Sequence, residues 1–360
     1  MKEPKTHWLA RVAAFALALS VFTACGDDEN DIMGSQPDPV EAAATLDGLV
    51  AQFVEGNEAL ESLDVLSPFI TGALQGNVVA LHALPSSERG GIYNWARSLQ
   101  VSLTELRASS DGPDRIPVGA LGKTFVYNTE TSAYEIDPTR TDAPANGVWF
   151  ILYAVDPIIG QPILPLREIG HIEIIDTSSF PTANIGLTAV IDDVGTLIDV
   201  DVSGTFTSQT IDLDFSGTLS DGSQSLTFDI DVTGSETAFN INFSLTFAPY
   251  TISFIFSGDA SGGGSITATL SEAGGGQIRF LLTVDAAGTI GSESGIYYNS
   301  DRVAIISGNI ESPVITNGAG DPLTQEELTA LRELFEGLGA VFELFQGLVE
   351  FSLFLLLLAL

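Results

Sequence analysis

From Ile198 to Phe256 apolar and polar side chains alternate with a period of two, and this constrains the fold more than any other feature of the chain. Ile198, Val200 and Val202 alternate with Asp199, Asp201 and Ser203, and Ile211, Leu213 and Phe215 with Asp212, Asp214 and Ser216. Phe228, Ile230 and Val232 alternate with Asp229, Asp231 and Thr233, and the odd positions Phe239 to Phe247 with Asn240, Asn242, Ser244 and Thr246. Successive side chains of a strand point to opposite faces, so each run makes a strand with one oily and one wet face. The spacers are short and turn-like: Thr207-Ser208, Ser220-Asp221-Gly222-Ser223, Gly234-Ser235-Glu236, Ala248-Pro249, Ser261 to Gly264 and Gly274 to Gly276. Parallel neighbours need a long crossover, so these connections imply an antiparallel meander. The motif Asp-x-Asp-x-(Ser/Thr)-Gly recurs at 199, 212 and 229, but its unequal spacing favours one curved sheet over a solenoid.

The period stays near two from about 111 to about 310. Gly147 to Val155 is a nearly continuous apolar run, as expected of a strand covered on both faces. On either side the period is helical. Leu46, Leu49, Val50, Phe53, Leu60 and Leu63 open a helical stretch, and segments 68–84 and 92–109 repeat the habit, which predicts three helices. Near the other end, Thr324 and Glu327 form a capping box after Asp321-Pro322. Leu328, Leu331, Phe335, Leu338, Phe342, Phe345 and Val349 then make an apolar stripe. Only Ser352 is polar from Phe351 to Leu360. A one-sided sheet has to cover its oily face. The expected fold is therefore α+β: a large curved antiparallel sheet packed on an N-terminal helical block and a C-terminal amphipathic helix. The expected divisions are a signal peptide (1–24), an acidic tether (25–39), the helical block (40–111), the β domain (112–312) and the apolar helix (313–360).

The leader has a basic start (Lys2, Lys5, Arg11), an apolar stretch from Val12 to Phe22 and small residues before Cys25. This is the layout of an export signal, with an apolar part too short to span a bilayer comfortably. Phe22-Thr23-Ala24-Cys25 resembles the lipobox of bacterial lipoproteins, with Phe22 where that family usually has Leu; the likeness covers residues 1–25. The resemblance implies that Cys25 becomes the mature N-terminus, carrying a diacylglycerol on its thiol and an acyl chain on its amine. Such a protein is anchored to a membrane in the cell envelope, by default the outer membrane, facing the periplasm or the cell surface. The alternative is an ordinary signal peptide with an incidental thiol. Cys25 is the only cysteine, so no internal disulfide forms.

The net charge of -34, from 47 acidic and 13 basic residues, repels phosphate backbones and argues against a nucleic-acid partner. No catalytic constellation emerges. His82 and His171 are the only imidazoles beyond the leader, and Gly291-Ser292-Glu293-Ser294-Gly295 has Glu where a nucleophile elbow needs Ser. His171 and Glu173 lack the third ligand that zinc requires. The Asp pairs lie about 6.6 Å apart along a strand, too far to share one calcium ion without help from neighbouring strands, and read first as a solvated face. The sequence thus predicts no enzyme, no cofactor and no metal, and leaves oligomeric state open. With its helices over an apolar concavity, the expected architecture resembles the open half-barrel of periplasmic lipoprotein carriers. That likeness is architectural; the leading expectation, a hydrophobic ligand such as lipid beneath the C-terminal helix, rests on Phe239 to Phe256 facing Phe335 to Leu360, with Phe243, Phe254, Phe342 and Phe345 as candidate contacts. The rival expectation is a structural or surface-interaction lipoprotein without a small-molecule ligand, and a third is a membrane-spanning β-barrel.

Overall fold

The structure is a computed structural model that describes residues 116–156, 161–179, 181–207, 209–220 and 222–359. Cys25, the expected signal peptide and tether, and the three helices expected within 40–111 lie outside the described residues. The strands are β1 (Lys123–Asn128), β2 (Ala133–Ile136), β3 (Gly147–Tyr153), β4 (Val155–Asp156), β5 (Gln161–Pro162) and β6 (Glu168–Asp176). Next come β7 (Thr182–Ile191), β8 (Gly195–Phe206), β9 (Thr210–Ser220), β10 (Ser225–Ser235), β11 (Ala238–Phe247) and β12 (Tyr250–Asp259). The last are β13 (Gly264–Glu272), β14 (Gln277–Val284), β15 (Gly295–Tyr298), β16 (Asp301–Asn309) and β17 (Ser312–Asn317), followed by helix α1 (Gln325–Ala359).

All strands but the small β4–β5 hairpin join one open 15-stranded sheet, in the order β17 through β6 and then β3-β1-β2. From β6 to β17 each strand pairs antiparallel with its predecessor in the sheet, as the short turns require. The expected purely antiparallel sheet is corrected at one place: β1 and β3 are parallel, with Lys123 opposite Val148 and Phe125 opposite Phe150. The reason is connectivity. The β1–β2 hairpin turns the chain round, and residues 137–146 bring it back to the end where β1 began. The sheet also runs past residue 312, since β17 ends at Asn317. β3 is covered on both faces, as its composition predicts: Val148, Phe150 and Leu152 on one side and Ile151 and Tyr153 on the other are buried.

Inner rows such as Ile198-Val200-Val202, Leu226-Phe228-Ile230-Val232 and Phe239-Ile241-Phe243-Leu245 are buried, and they join the stripe of α1 in a single apolar cluster. The helix lies across the strands. Phe335 meets Phe280 of β14 at 5.7 Å, Phe342 meets Phe254 and Phe256 of β12 at 6.2 and 6.0 Å, and Phe345 meets Phe243 of β11 at 4.6 Å. Further along, Leu356 sits over Gly204 of β8, where an added Cβ would come within 2.9 Å of its Cδ1. From Phe335 to Leu356 the helix rises about 31 Å at about 1.5 Å per residue. The strands from β14 to β8 span about 29 Å at about 4.8 Å each. Each helical turn therefore advances α1 by about one strand, which lets a single stripe of side chains serve a row of strands.

The recurring Asp-x-Asp-x-(Ser/Thr)-Gly motif acquires a packing meaning. Its Asp residues are on the outer face and its glycine on the inner one. Gly217 of β9 stands opposite Val200 and Phe228, and a Cβ there would lie 2.9 Å from Phe228 Cζ and 2.6 Å from the Asp199 carbonyl oxygen. The missing side chain is the space its neighbours occupy. The start of α1 is fixed by the expected capping box: Glu327 Oε2 accepts from Thr324 N at 2.7 Å and from Thr324 Oγ1 at 2.9 Å, and Glu327 N donates to Thr324 Oγ1 at 3.3 Å.

Candidate functional site

Phe243, Phe254, Phe342 and Phe345 do come together. Phe243 and Phe254 lie opposite each other on β11 and β12 because both occupy inner positions of the alternating pattern. Their rings stack at 5.9 Å, Phe342 and Phe345 are 5.5 Å apart, and all four side chains are between 0% and 6% exposed. At this place the four rings form a closed cycle of contacts. Phe256, not singled out from sequence, belongs to the same group: it stacks on Phe345 at 6.2 Å and on Phe254 at 6.2 Å. The signal that marks it is parity, since it shares a strand face with Phe254.

Two polar groups are buried in the part of α1 that joins this core. Among the described residues Gln346 Nε2 and Ser352 Oγ have no hydrogen-bond partner, although Gln346 is 8% and Ser352 0% exposed. A buried donor or acceptor left unmet costs about 1–3 kcal/mol, so the seat of the helix is weaker than its aromatic contacts alone suggest.

The outer face is polar in one region. Asp199 and Asp201 on β8, Asp212 and Asp214 on β9, and Asp229 and Asp231 on β10 form a ladder in which Asp214 lies directly opposite Asp231. Partial desolvation, then the charges of Asp229 and Asp231 and a hydrogen bond with Asp231, push the Asp214 carboxyl above its ordinary range. Desolvation and Asp231 do the same to Asp229. Beside the ladder the face dips over Gly186 in a shallow concavity of about 150 Å³ walled in part by Glu173, Asp199 and Asp201. Glu173 accepts a 2.7 Å hydrogen bond from Trp149 Nε1, and Asp199 one of 3.2 Å from Thr188 Oγ1. His171 stacks on Trp149 with centroids 4.2 Å apart. Among the described residues no three His, Cys, Asp or Glu side chains are grouped to hold a metal ion.

The 291–295 segment serves the architecture. Ser294 is buried, its Oγ accepts from Thr283 N at 3.0 Å, and Gly295 leaves the space in which Arg302 Nε lies. His171, on β6, is remote from β15 in the strand order, so no imidazole of the described residues stands beside Ser294. Cys25 lies outside the described residues. No protein-family model, curated protein or solved structure matches the chain.

Proposed function

We propose that the protein is a membrane-anchored, non-enzymatic lipoprotein of the bacterial cell envelope, in which α1 completes the core of a structural or surface-interaction domain. The observation that carries this reading is the mutual contact of Phe243, Phe254, Phe342 and Phe345, which leaves the helix itself as the occupant of the apolar sheet face. The lipobox-like segment ending at Cys25 supports the anchor. The outer membrane is the proposed site, with the domain in the periplasm or at the surface. In this reading the sheet curls about α1 in half-barrel fashion. A helix about 10–12 Å across lies against strands as long as about 40 Å, and curling helps to hide inner rows buried along their length.

A second reading, a hydrophobic ligand such as lipid that takes the place of α1, is favoured by the unmet polar groups of Gln346 and Ser352. Removal of residues 324–360 separates the two. A domain that unfolds supports the structural reading, whereas a folded domain that takes up a fluorescent fatty acid supports the ligand reading. Lipid in organic extracts of the purified protein would favour the latter as well. Among the described residues no helix is long and apolar enough to cross a membrane. A strand-spanning barrel is disfavoured on positive grounds: lipid-facing surfaces are apolar, and here the apolar face packs on α1 while carboxylates face outward. For the anchor, Cys25→Ser is expected to move the protein from the membrane to the soluble fraction; retention on membranes would refute lipidation as the sole attachment.

A further inference from the structure

Basic residues are scarce in this chain, 13 against 47 acidic ones, yet two of them stand together on the outer face. Arg279 of β14 lies opposite Tyr297 of β15, and Tyr297 lies opposite Arg302 of β16. The Arg279 guanidinium carbon is 4.5 Å and that of Arg302 5.9 Å from the centroid of the Tyr297 ring. The ring is anchored by its hydroxyl, which donates to the Glu293 carbonyl at 2.7 Å. It is 8% exposed. Arg302 reaches its place because Gly295 has no Cβ, which would fall 2.8 Å from Arg302 Nε.

Among the described residues neither arginine forms an ion pair, in contrast with Arg140, which bridges Asp137 and Glu168. Each guanidinium carries five donors. Arg302 spends one on the Ser294 carbonyl, Arg279 makes no hydrogen bond among the described residues, and the Nε atoms of both are buried without a partner. Two buried N–H groups unmet on the two cations that flank one ring are a double cost that acceptors with negative charge would remove. The aspartate ladder does not fill the role: β10 and β14 are four strands apart, about 19 Å, beyond a screening length of about 8–10 Å. Arg guanidinium forks match planar carboxylates and phosphates.

We propose that Arg279 and Arg302, held by Tyr297, form an oxyanion-binding site for a carboxylate or phosphate group on the outer face of β14–β16. The anion comes either from solution or from a lipid headgroup. Full-length protein in neutral detergent is titrated with inorganic phosphate while the arginine Nε–H resonances are followed. Those of Arg279 and Arg302 are identified by their proximity to the Tyr297 ring protons, so assignment needs no variant. Saturable movement of these two resonances supports the site. Arg279→Lys and Arg302→Lys keep the charge but lose the fork, and each is expected to weaken phosphate binding by about tenfold. A second arm sediments the Cys25→Ser chain with vesicles of phosphatidylglycerol or of phosphatidylcholine. Selective sedimentation with the former, lost in the two Lys variants, assigns the anion to a headgroup. The site is refuted if millimolar phosphate leaves both resonances unmoved and phosphatidylglycerol vesicles bind no better than phosphatidylcholine. Responses identical in wild type and both folded variants refute it equally.

Discussion

The outer face around β8–β10 and the outer face around β14–β16 lie on one sheet, over one helix, and differ in almost every respect. The first carries six aspartates with Asp214 opposite Asp231; the second carries Arg279, Tyr297 and Arg302, with Leu281 and Ile305 in the adjoining row. Beneath them the inner rows are apolar and belong to one cluster with α1, fully buried in β8–β10 and in part half-buried in β14. Burial allows little variety inside, so what distinguishes one part of the molecule from another is written on the side that water reaches. The two regions also tolerate charge differently. Partial desolvation and then neighbouring carboxylates raise Asp214 and Asp229, Asp214 through Asp229 and the opposite Asp231, and Asp229 through Asp231 two residues along its own strand. The arginines instead cover an aromatic ring, which compensates part of the cost of bringing them together.

The most severe way to break the comparison is to remove the foundation that both regions share. Phe345→Ala, whose ring touches β11 and β12, is expected to lower stability by about 3–5 kcal/mol. In denaturant unfolding a single transition would show that the acidic and basic ends stand or fall together, and two transitions would show that they do not. Gly217→Val attacks the acidic end alone by overfilling the space held by Phe228, at an expected cost of about 1–3 kcal/mol by the same measurement. Thr324→Ala removes the cap that starts α1 on the basic side and is expected to cost about 0.5–2 kcal/mol, read in the thermal midpoint.

The smallest effect sharpens the contrast in charge. Asp214→Asn deletes a like-charge opposition and is expected to stabilise the neutral-pH protein by about 0.2–1 kcal/mol, the lower part of that range applying to a screened surface position. The pH dependence has a definite sign. Raised carboxyl pKa values mean that the folded chain holds its protons more tightly than the unfolded one. The ladder's contribution is therefore fully present below the unfolded carboxylate value of about 3.9 and is lost as pH rises through the raised folded values. Unfolding midpoints measured across this window should fall less steeply in the Asn variant. A slope equal to that of the wild type would show that the ladder is electrostatically inert.

The antiparallel strands from β8 to β12, their turns and the capping box were legible because each depends on residues close in sequence. Alternation, Gly and Ser at the reversals, and Thr324 with Glu327 suffice. The parallel placement of β1 beside β3 depends on the path of residues 137–146, which leaves no periodic mark. The inner role of Gly204 and Gly217 was hidden for the same reason, since the side chains that need the space come from other elements. Phe243 and Phe254 were marked by strand-face parity and Phe342 and Phe345 by the helical stripe, but neither pattern by itself reveals that the two pairs touch. Arg279 carries no local signal of its partners, and only the pairing of β14, β15 and β16 brings it to Tyr297 and Arg302.

The match between helical rise and strand spacing limits how such a molecule can grow. Phe335 and Phe342, two turns apart, serve β14 and β12, the two sides of one added hairpin step. A duplication that lengthened the meander by two strands would leave about 10 Å of new oily surface without a lid, unless about seven residues entered α1 at the same time. Width of the ribbon and length of the rod are thus coupled quantities, and an insertion in either one alone would throw every later side chain out of step with the strand it serves.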